Sequence, residues 1–272
     1  MSIISPWNPA PQGDKVLSLP FVISVPHCSG KIPEQMRTVL ALSDLEIRDS
    51  TDLGTREIFA SLEAEYVLCA RWSRLVVDLN RDPRRLDSKG VIPLVDYFGR
   101  PVYLGDSLPD QREAEERLRN YYRPYHNILK EALARPRVRG LIDCHSLTGT
   151  GPPMAPDAGR KRRDVVLSNN GDQDGNTAPG MGPVTCAPEL LDRVKNSFLR
   201  AGFSVSINAP YTGGFIVTHY AHEFAHKGKF AFQIEINQEL FSELEAGKIS
   251  SERLTRVKSR IRRCFDEIAE VV

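Results

Sequence analysis

Two histidines in this 272-residue chain follow directly on short apolar runs: His27 after FVISV, in Pro26-His27-Cys28-Ser29-Gly30, and His145 after GLI, in Asp143-Cys144-His145-Ser146. A third polar segment, Asp78-Leu79-Asn80-Arg81-Asp82-Pro83, follows RLVV, and Glu235 lies between Ile234 and Ile236 within FAFQIEI. A catalytic zinc takes three nitrogen or oxygen ligands and leaves a position open for water. His27 and His145 would supply two of the three. Asp52, in the acidic turn Asp49-Ser50-Thr51-Asp52, is a candidate third. That turn opens a helix, where Asp52 would equally serve as an N-cap carboxylate, and Asp49 competes for either job. Glu235 must be desolvated in so apolar a run, which costs several kcal/mol unless it is paired or neutralised. A structural salt bridge is one answer; a raised-pKa general base beside an activated water is the other. Arg81 presents a planar fork suited to a substrate carboxylate, and Asn80 adds a neutral donor. Arg81 could instead pair with Asp82 or Asp78.

A competing motif is His222-Glu223-Phe224-Ala225-His226, which matches H-E-x-x-H, two histidines one helical turn apart with a glutamate base. Gly213-Gly214 precedes it, Lys227-Gly228-Lys229 follows, and a strand is expected from about 229, leaving barely three helical turns. The match is therefore not expected to be the metal site. His126 is expected to be a packed or surface histidine, and Arg160-Lys161-Arg162-Arg163 a solvated basic turn. There is no G-x-G-x-x-G, P-loop or G-x-S-x-G.

The elements that must position these residues alternate between apolar runs and helix-period segments, the pattern of an α/β fold. Strands are expected at 21–26, 66–71, 74–79, 139–144, 163–168, 203–208 and 229–236. Several are apolar on both alternating sets, as in central strands covered on both faces. Helices are expected at 55–65, at 110–134 with a kink at Pro124, from Pro188 to a stop at Gly202, and at 251–271. In open α/β sheets the ligand crevice lies outside the carboxyl ends of the strands, so the two histidine segments and the Asn80-Arg81 segment should meet on one rim. Segments 80–109 and 149–183, rich in Gly, Pro, Asp and Arg, are expected to be active-site loops.

Length suits one domain over 1–272, with 1–18 as an N-terminal extension. Lys+Arg 36 against Asp+Glu 35 gives a net charge of +1, without the basic surplus of a nucleic-acid binder. A mean hydropathy of -0.32, with no apolar run near the roughly 20 residues of a spanning helix, argues against a membrane protein. The start, Met-Ser-Ile-Ile-Ser-Pro-Trp-Asn-Pro, lacks a basic region followed by an apolar one. Five scattered cysteines without a C-x-x-C pair fit a reducing cytoplasm, where Cys69 and Cys144 would be small buried hydrophobes.

The segments SVPHCSG, TDLGTREIF, RWSRLVVDLNRDP, YYRPYHNIL, GLIDCHS, PYTGGFIVTHY and QIEINQ occur in an order that resembles the N-formylglutamate amidohydrolases, over about residues 20 to 242. The resemblance implies an α/β domain of the phosphorylase/hydrolase-like kind, with a mixed, mostly parallel sheet flanked by helices, distantly like the zinc carboxypeptidases. It implies one zinc ion per chain, held by His27, Asp52 and His145, with Glu235 as base. Asn80 and Arg81 would recognise the carboxylate side of the substrate, Arg81 also stabilising the oxyanion, and Gly213 and Gly214 would line the pocket. The implied reaction is hydrolysis of N-formyl-L-glutamate to formate and L-glutamate, as in histidine degradation. Another N-acyl amino acid or small peptide is the alternative substrate, and a non-catalytic binder of acidic amino-acid derivatives the alternative class. The expected partner is a small N-acyl amino acid, with no nucleic acid or membrane and an oligomeric state left open. Two departures stand out. The family's histidine-degradation members often carry an arginine soon after the second histidine, where this chain has Ser146-Leu147-Thr148-Gly149-Thr150-Gly151. The stretch from Tyr220 to Phe230 is also longer than in those members.

Overall fold

The computed structural model describes residues 5–7, 18–243 and 248–272. In chain order the elements are β1 (Ser5–Trp7), β2 (Leu19–Val25), α1 (Glu34–Arg37), α2 (Asp44–Asp49), α3 (Thr55–Phe59) and β3 (Ala64–Cys69). There follow α4 (Gln111–Arg117), a π-helical turn (Leu118–Tyr122), α5 (Arg123–Ala134), β4 (Gly140–Leu147), β5 (Val165–Ser168), α6 (Pro188–Arg200) and β6 (Val205–Ile207). The chain ends with α7 (Phe215–Phe224), β7 (Phe230–Asn237) and α8 (Ser251–Glu270). The sheet order is β1-β3-β2-β4-β7-β5-β6. Pairings β2–β3, β2–β4, β4–β7 and β5–β6 are parallel; β1–β3 and β5–β7 are antiparallel. The sheet is thus mixed and mostly parallel, as the family resemblance implies.

Alternation along the strands sorts side chains to two helix-covered faces. Phe21, Ile23, Ile142, Phe232, Ile234 and Ile236 belong to one core cluster, with Phe59 of α3, Phe198 of α6 and Ile261 and Phe265 of α8. Val22, Leu141 and Ala231 face the other way, onto Tyr125 and Leu129 of α5 and Ile216, Val217 and Tyr220 of α7. On this second face the alternation continues to Ser24, to Asp143 and His145, and to Gln233 and Glu235. The polar ends of three adjacent central strands therefore share one face.

Three expectations differ from the structure. Residues 74–79 form no strand, because β1 within the N-terminal extension takes the outer edge of β3. The segment instead threads between two cores: Leu75 and Val76 pack in one cluster, Val77 and Leu79 in another. Each fully buried aliphatic side chain contributes roughly 1.5–3 kcal/mol, and turn hydrogen bonds such as Asp78 N–H to the Val91 carbonyl at 2.8 Å stand in for a ladder. The helix expected at 55–65 ends at Phe59, since β3 begins at Ala64. At Pro124 there is no simple kink; the turn before it opens into a π-helix, in which the Arg123 N–H bonds to the Leu118 carbonyl. Segments 80–109 and 149–183 are mostly loops, as expected, and both reach the site.

Candidate active site

β2 ends at Val25 and delivers His27 just beyond the sheet, while His145 lies inside β4, opposite Glu235 of β7. The His27 carbonyl accepts the Asp52 N–H at 3.0 Å, which draws the turn between α2 and α3 over the histidines. Asp52 does not cap α3, which starts after Gly54. Its Oδ2 lies 2.8 Å from His145 Nδ1 and 3.5 Å from His27 Nδ1, and the two Nδ1 atoms are 3.2 Å apart. All three residues are buried. Asp49, the competing carboxylate, sits farther out at the mouth, paired with Arg100 at 3.3 Å.

The far side of each ring sets its tautomer. His27 Nε2 meets Asp78 Oδ1 at 2.8 Å, and His145 Nε2 meets Asp143 Oδ2 at 2.8 Å. A carboxylate only accepts, so each Nε2 carries the proton. Both Nδ1 atoms then face Asp52, so a proton or a metal ion must lie between each of them and its carboxylate; a second carboxylate behind the ring is the arrangement that orients a metal-ligating histidine. Zinc–ligand bonds of ~2.0–2.1 Å put tetrahedral ligands roughly 3.3 Å apart. The three separations here lie around that value, so the donor set fits such an ion. The electrostatics agree. Burial works to raise the Asp52 pKa, but hydrogen bonds with His145 and His27 hold it well below the usual range. Burial likewise opposes charge on His145, yet Asp143 and Asp52 push its pKa well up. The centre favours a positive charge.

Glu235 opens into the same cavity, its Oε1 accepting from Gln233 Nε2 at 2.9 Å. Burial pushes its pKa up to about 7, with Asp52 adding to the rise and His145 opposing it. Near neutral pH this carboxyl exchanges a proton readily. The cavity encloses about 750 Å³, counting the part open to solvent.

Asn80 lies in the cavity wall, but its amide is already engaged. Nδ2 donates to Asp143 Oδ2 at 3.0 Å and lies 3.2 Å from His145 Nε2, while Oδ1 accepts the Ile216 N–H at 2.8 Å, capping α7. Arg81 is freer: Nη2 donates to the Tyr97 hydroxyl at 2.7 Å, the buried Nε makes no hydrogen bond but stands 3.9 Å from Asp78 Oδ2, and a quarter of the side chain is exposed. Gly213 has φ +127°, and Gly214 passes so close to Asn80 that a Cβ would meet its side chain at 2.2 Å.

The H-E-x-x-H residues lie elsewhere. His222 and His226 are exposed at the end of α7 and the turn after it, and Glu223 pairs with Lys130 at 2.5 Å. Among the described residues the group suited to a metal is His27, Asp52 and His145. His126 is packed and half-buried among Tyr122, Phe215 and Tyr220.

Several cavity residues escaped the sequence reading. Arg74 stacks on Tyr97, donates to Asp78 Oδ2 at 2.7 Å and stands 3.7 Å from Asp52 Oδ1. Nothing in its local sequence marks it. Asp143, by contrast, lies two residues before His145, on the same strand face, and period-2 spacing could have revealed its role. The basic turn is only partly solvated. Arg162, its side chain 2% exposed, turns into the cavity wall and donates to Asp157, to Thr148 and to the Tyr211 hydroxyl at 3.0 Å. An arginine thus reaches this wall from segment 149–183, although none follows His145 closely in sequence.

Residues 19–242 match the family model described as N-formylglutamate amidohydrolase. An N-formylglutamate deformylase of Pseudomonas putida is 30% identical over 248 residues, covering 85% of this chain and 86% of the relative. One from Pseudomonas aeruginosa is 29% identical, covering 83% and 85%. The crystal structure of N-formylglutamate amidohydrolase from Ralstonia eutropha JMP134 superimposes over the whole of both chains, with a TM-score of 0.76 at 20% identity. A gene product of Agrobacterium tumefaciens gives 0.65, also at 20% identity, over 92% of this chain and 90% of its own. The two solved structures share the fold, and the family follows from the sequence match over most of the chain: this protein belongs to the N-formylglutamate amidohydrolases.

Proposed function

We propose that the protein hydrolyses the amide bond of N-formyl-L-glutamate to formate and L-glutamate, with zinc held by His27, Asp52 and His145. One observation carries this reading: two histidine Nδ1 atoms converge on Asp52 in a cavity that also holds a carboxyl titrating at about 7 and a partly free arginine. Bound there, zinc would supply Lewis acidity to an acyl oxygen and to water. Glu235 takes the proton from the attacking water and passes it to the amine as the C–N bond breaks. Arg81 binds the α-carboxylate through the exposed part of its guanidinium and helps to stabilise the oxyanion. Arg74 holds Asp78 and faces Asp52, and so keeps the acidic residues behind His27 in place. Asn80 supports Asp143 and His145, Gly214 leaves room for it, and Gly213 lines the cavity beside them. Such a reaction would serve histidine degradation, and five unpaired cysteines suit the cytoplasm.

A second reading is hydrolysis of another N-acyl amino acid. It is favoured by Arg162, whose donors are taken by Asp157, Thr148 and Tyr211 and so are not free for a second substrate carboxylate. The test is formate release from N-formyl-L-glutamate by zinc-loaded protein, run beside N-acetyl and N-succinyl amino acids. Turnover confined to another member of the panel selects the second reading. One equivalent of zinc with no turnover of any member leaves a binding protein.

A further inference from the structure

The segment Leu79-Asn80-Arg81 carries two cavity residues but belongs to neither helix nor strand. Its backbone is nevertheless tied at both polar groups of Asn80 and at the carbonyls on either side. The Asn80 N–H donates to Asp78 Oδ1 at 2.9 Å, and the Asn80 carbonyl accepts the Phe215 N–H at 3.4 Å. The two flanking carbonyls are held from the opposite side. Tyr122 donates its hydroxyl proton to the Arg81 carbonyl at 2.8 Å, and His126 Nε2 lies 3.0 Å from the Leu79 carbonyl. A carbonyl only accepts, so that Nε2 is protonated.

Tyr122 closes the π turn, and His126 follows four residues later on α5. Their rings stack with centroids 4.1 Å apart and planes inclined by 24°. His126 is backed by Tyr220 of α7, stacked at 5.8 Å, whose hydroxyl donates to the His126 carbonyl at 2.8 Å. The π turn admits one residue more than an α turn, which shifts the phase of the side chains after it. We propose that Tyr122 and His126 are positioning residues, a stacked pair set in phase by the π turn, which clamps the carbonyls on either side of Asn80 and thereby aims Asn80 and Arg81 into the site. This rests on the functional reading only for the contribution of those two side chains to turnover.

Misplacing a substrate-holding group by about 1 Å can cost on the order of 100-fold in rate, so partial release of the clamp is expected to cost about tenfold. Tyr122→Phe keeps the stack and removes one hydrogen bond. It should lower kcat/KM for N-formyl-L-glutamate about tenfold while zinc content and the thermal midpoint stay near those of the parent. In an Arg81→Lys background the same change should cost under about twofold, because both act through one segment. His126→Leu should behave like Tyr122→Phe, and His126→Gln, which retains a donor, should restore most of the loss. The second measurement needs no turnover. Hydrogen exchange at the Ile216 amide, which donates to Asn80 Oδ1, should quicken at least about fivefold in Tyr122→Phe, with the amides of β4 unchanged. A parent without turnover would overturn the functional reading and leave the exchange experiment to decide the clamp. Unchanged Ile216 exchange in both Tyr122→Phe and His126→Leu would overturn the clamp itself. So would an equal loss of kcat/KM whether Tyr122→Phe is made in the parent or in the Arg81→Lys background.

Discussion

The Nδ1 atoms of His27 and His145 face each other across 3.2 Å, each ring turned that way by a carboxylate behind it. Two lone pairs so close repel unless a cation lies between them, and Asp52 adds a negative oxygen to the same space. Asp78 and Asp143 therefore matter as much as the three residues in front. Each is a buried carboxylate, and Asp143 is shared among Ser24, Asn80 and His145.

Asp143→Asn should weaken zinc binding by about 10–100-fold, the usual cost of losing a carboxylate behind a metal-ligating histidine. Competition with a chromophoric chelator measures it. Unchanged affinity would show that His145 keeps its orientation without the charge.

Glu235→Gln should keep its zinc and lose turnover by about 10²–10⁴-fold, the range for a positioned general base. The parent enzyme supplies the matching pH test. As a base Glu235 would work ionised, so kcat/KM should rise with pH through a limb at or below about 7, which a bound cation would draw downward. A limb well above 7, or a variant that loses its metal, would point to a different role.

Gly214→Ala places a methyl group against the Asn80 side chain, which is held on both sides and has no room to yield. Crowding of this kind costs about 1–3 kcal/mol. The variant should melt earlier and lose activity, and calorimetry beside formate release measures both.

His126 gives the fold a pH dependence of known sign. Burial pushes its pKa from 6.5 down to about 4. The unfolded chain therefore binds a proton that the folded chain refuses between those values. Its contribution is fully present above pH 6.5 and falls away as the pH drops toward 4, by about 3 kcal/mol in all. Denaturant titrations of the parent and of His126→Leu should diverge in slope across this window, the variant being the flatter.

The residues proposed to carry the chemistry were legible because water marks them. A histidine at the end of an apolar run, or a glutamate inside one, contradicts its surroundings, and His27, His145 and Glu235 all do so in one dimension. The strand alternation was legible for the same reason, and with it the α/β class; the mixed sheet came from the family resemblance. Pattern, however, reports burial and not what a side chain is buried against. Leu75 to Leu79 resemble a central strand because both sides are covered, but two separate cores cover them. Spacing alone likewise left Asp52 and Asp49 equal, and the backbone bond from Asp52 N–H to the His27 carbonyl separates them. His222 and His226 have the spacing of ligands, yet their helix turns them to solvent. Arg74, Arg162 and the Tyr122–His126 pair act across long stretches of chain, where local periodicity carries no signal. The amino-acid sequence by itself determined which groups are out of place in an apolar setting; only the tertiary structure decided which of them meet, because hydrogen bonds at 2.8 Å depend on where separate segments pack.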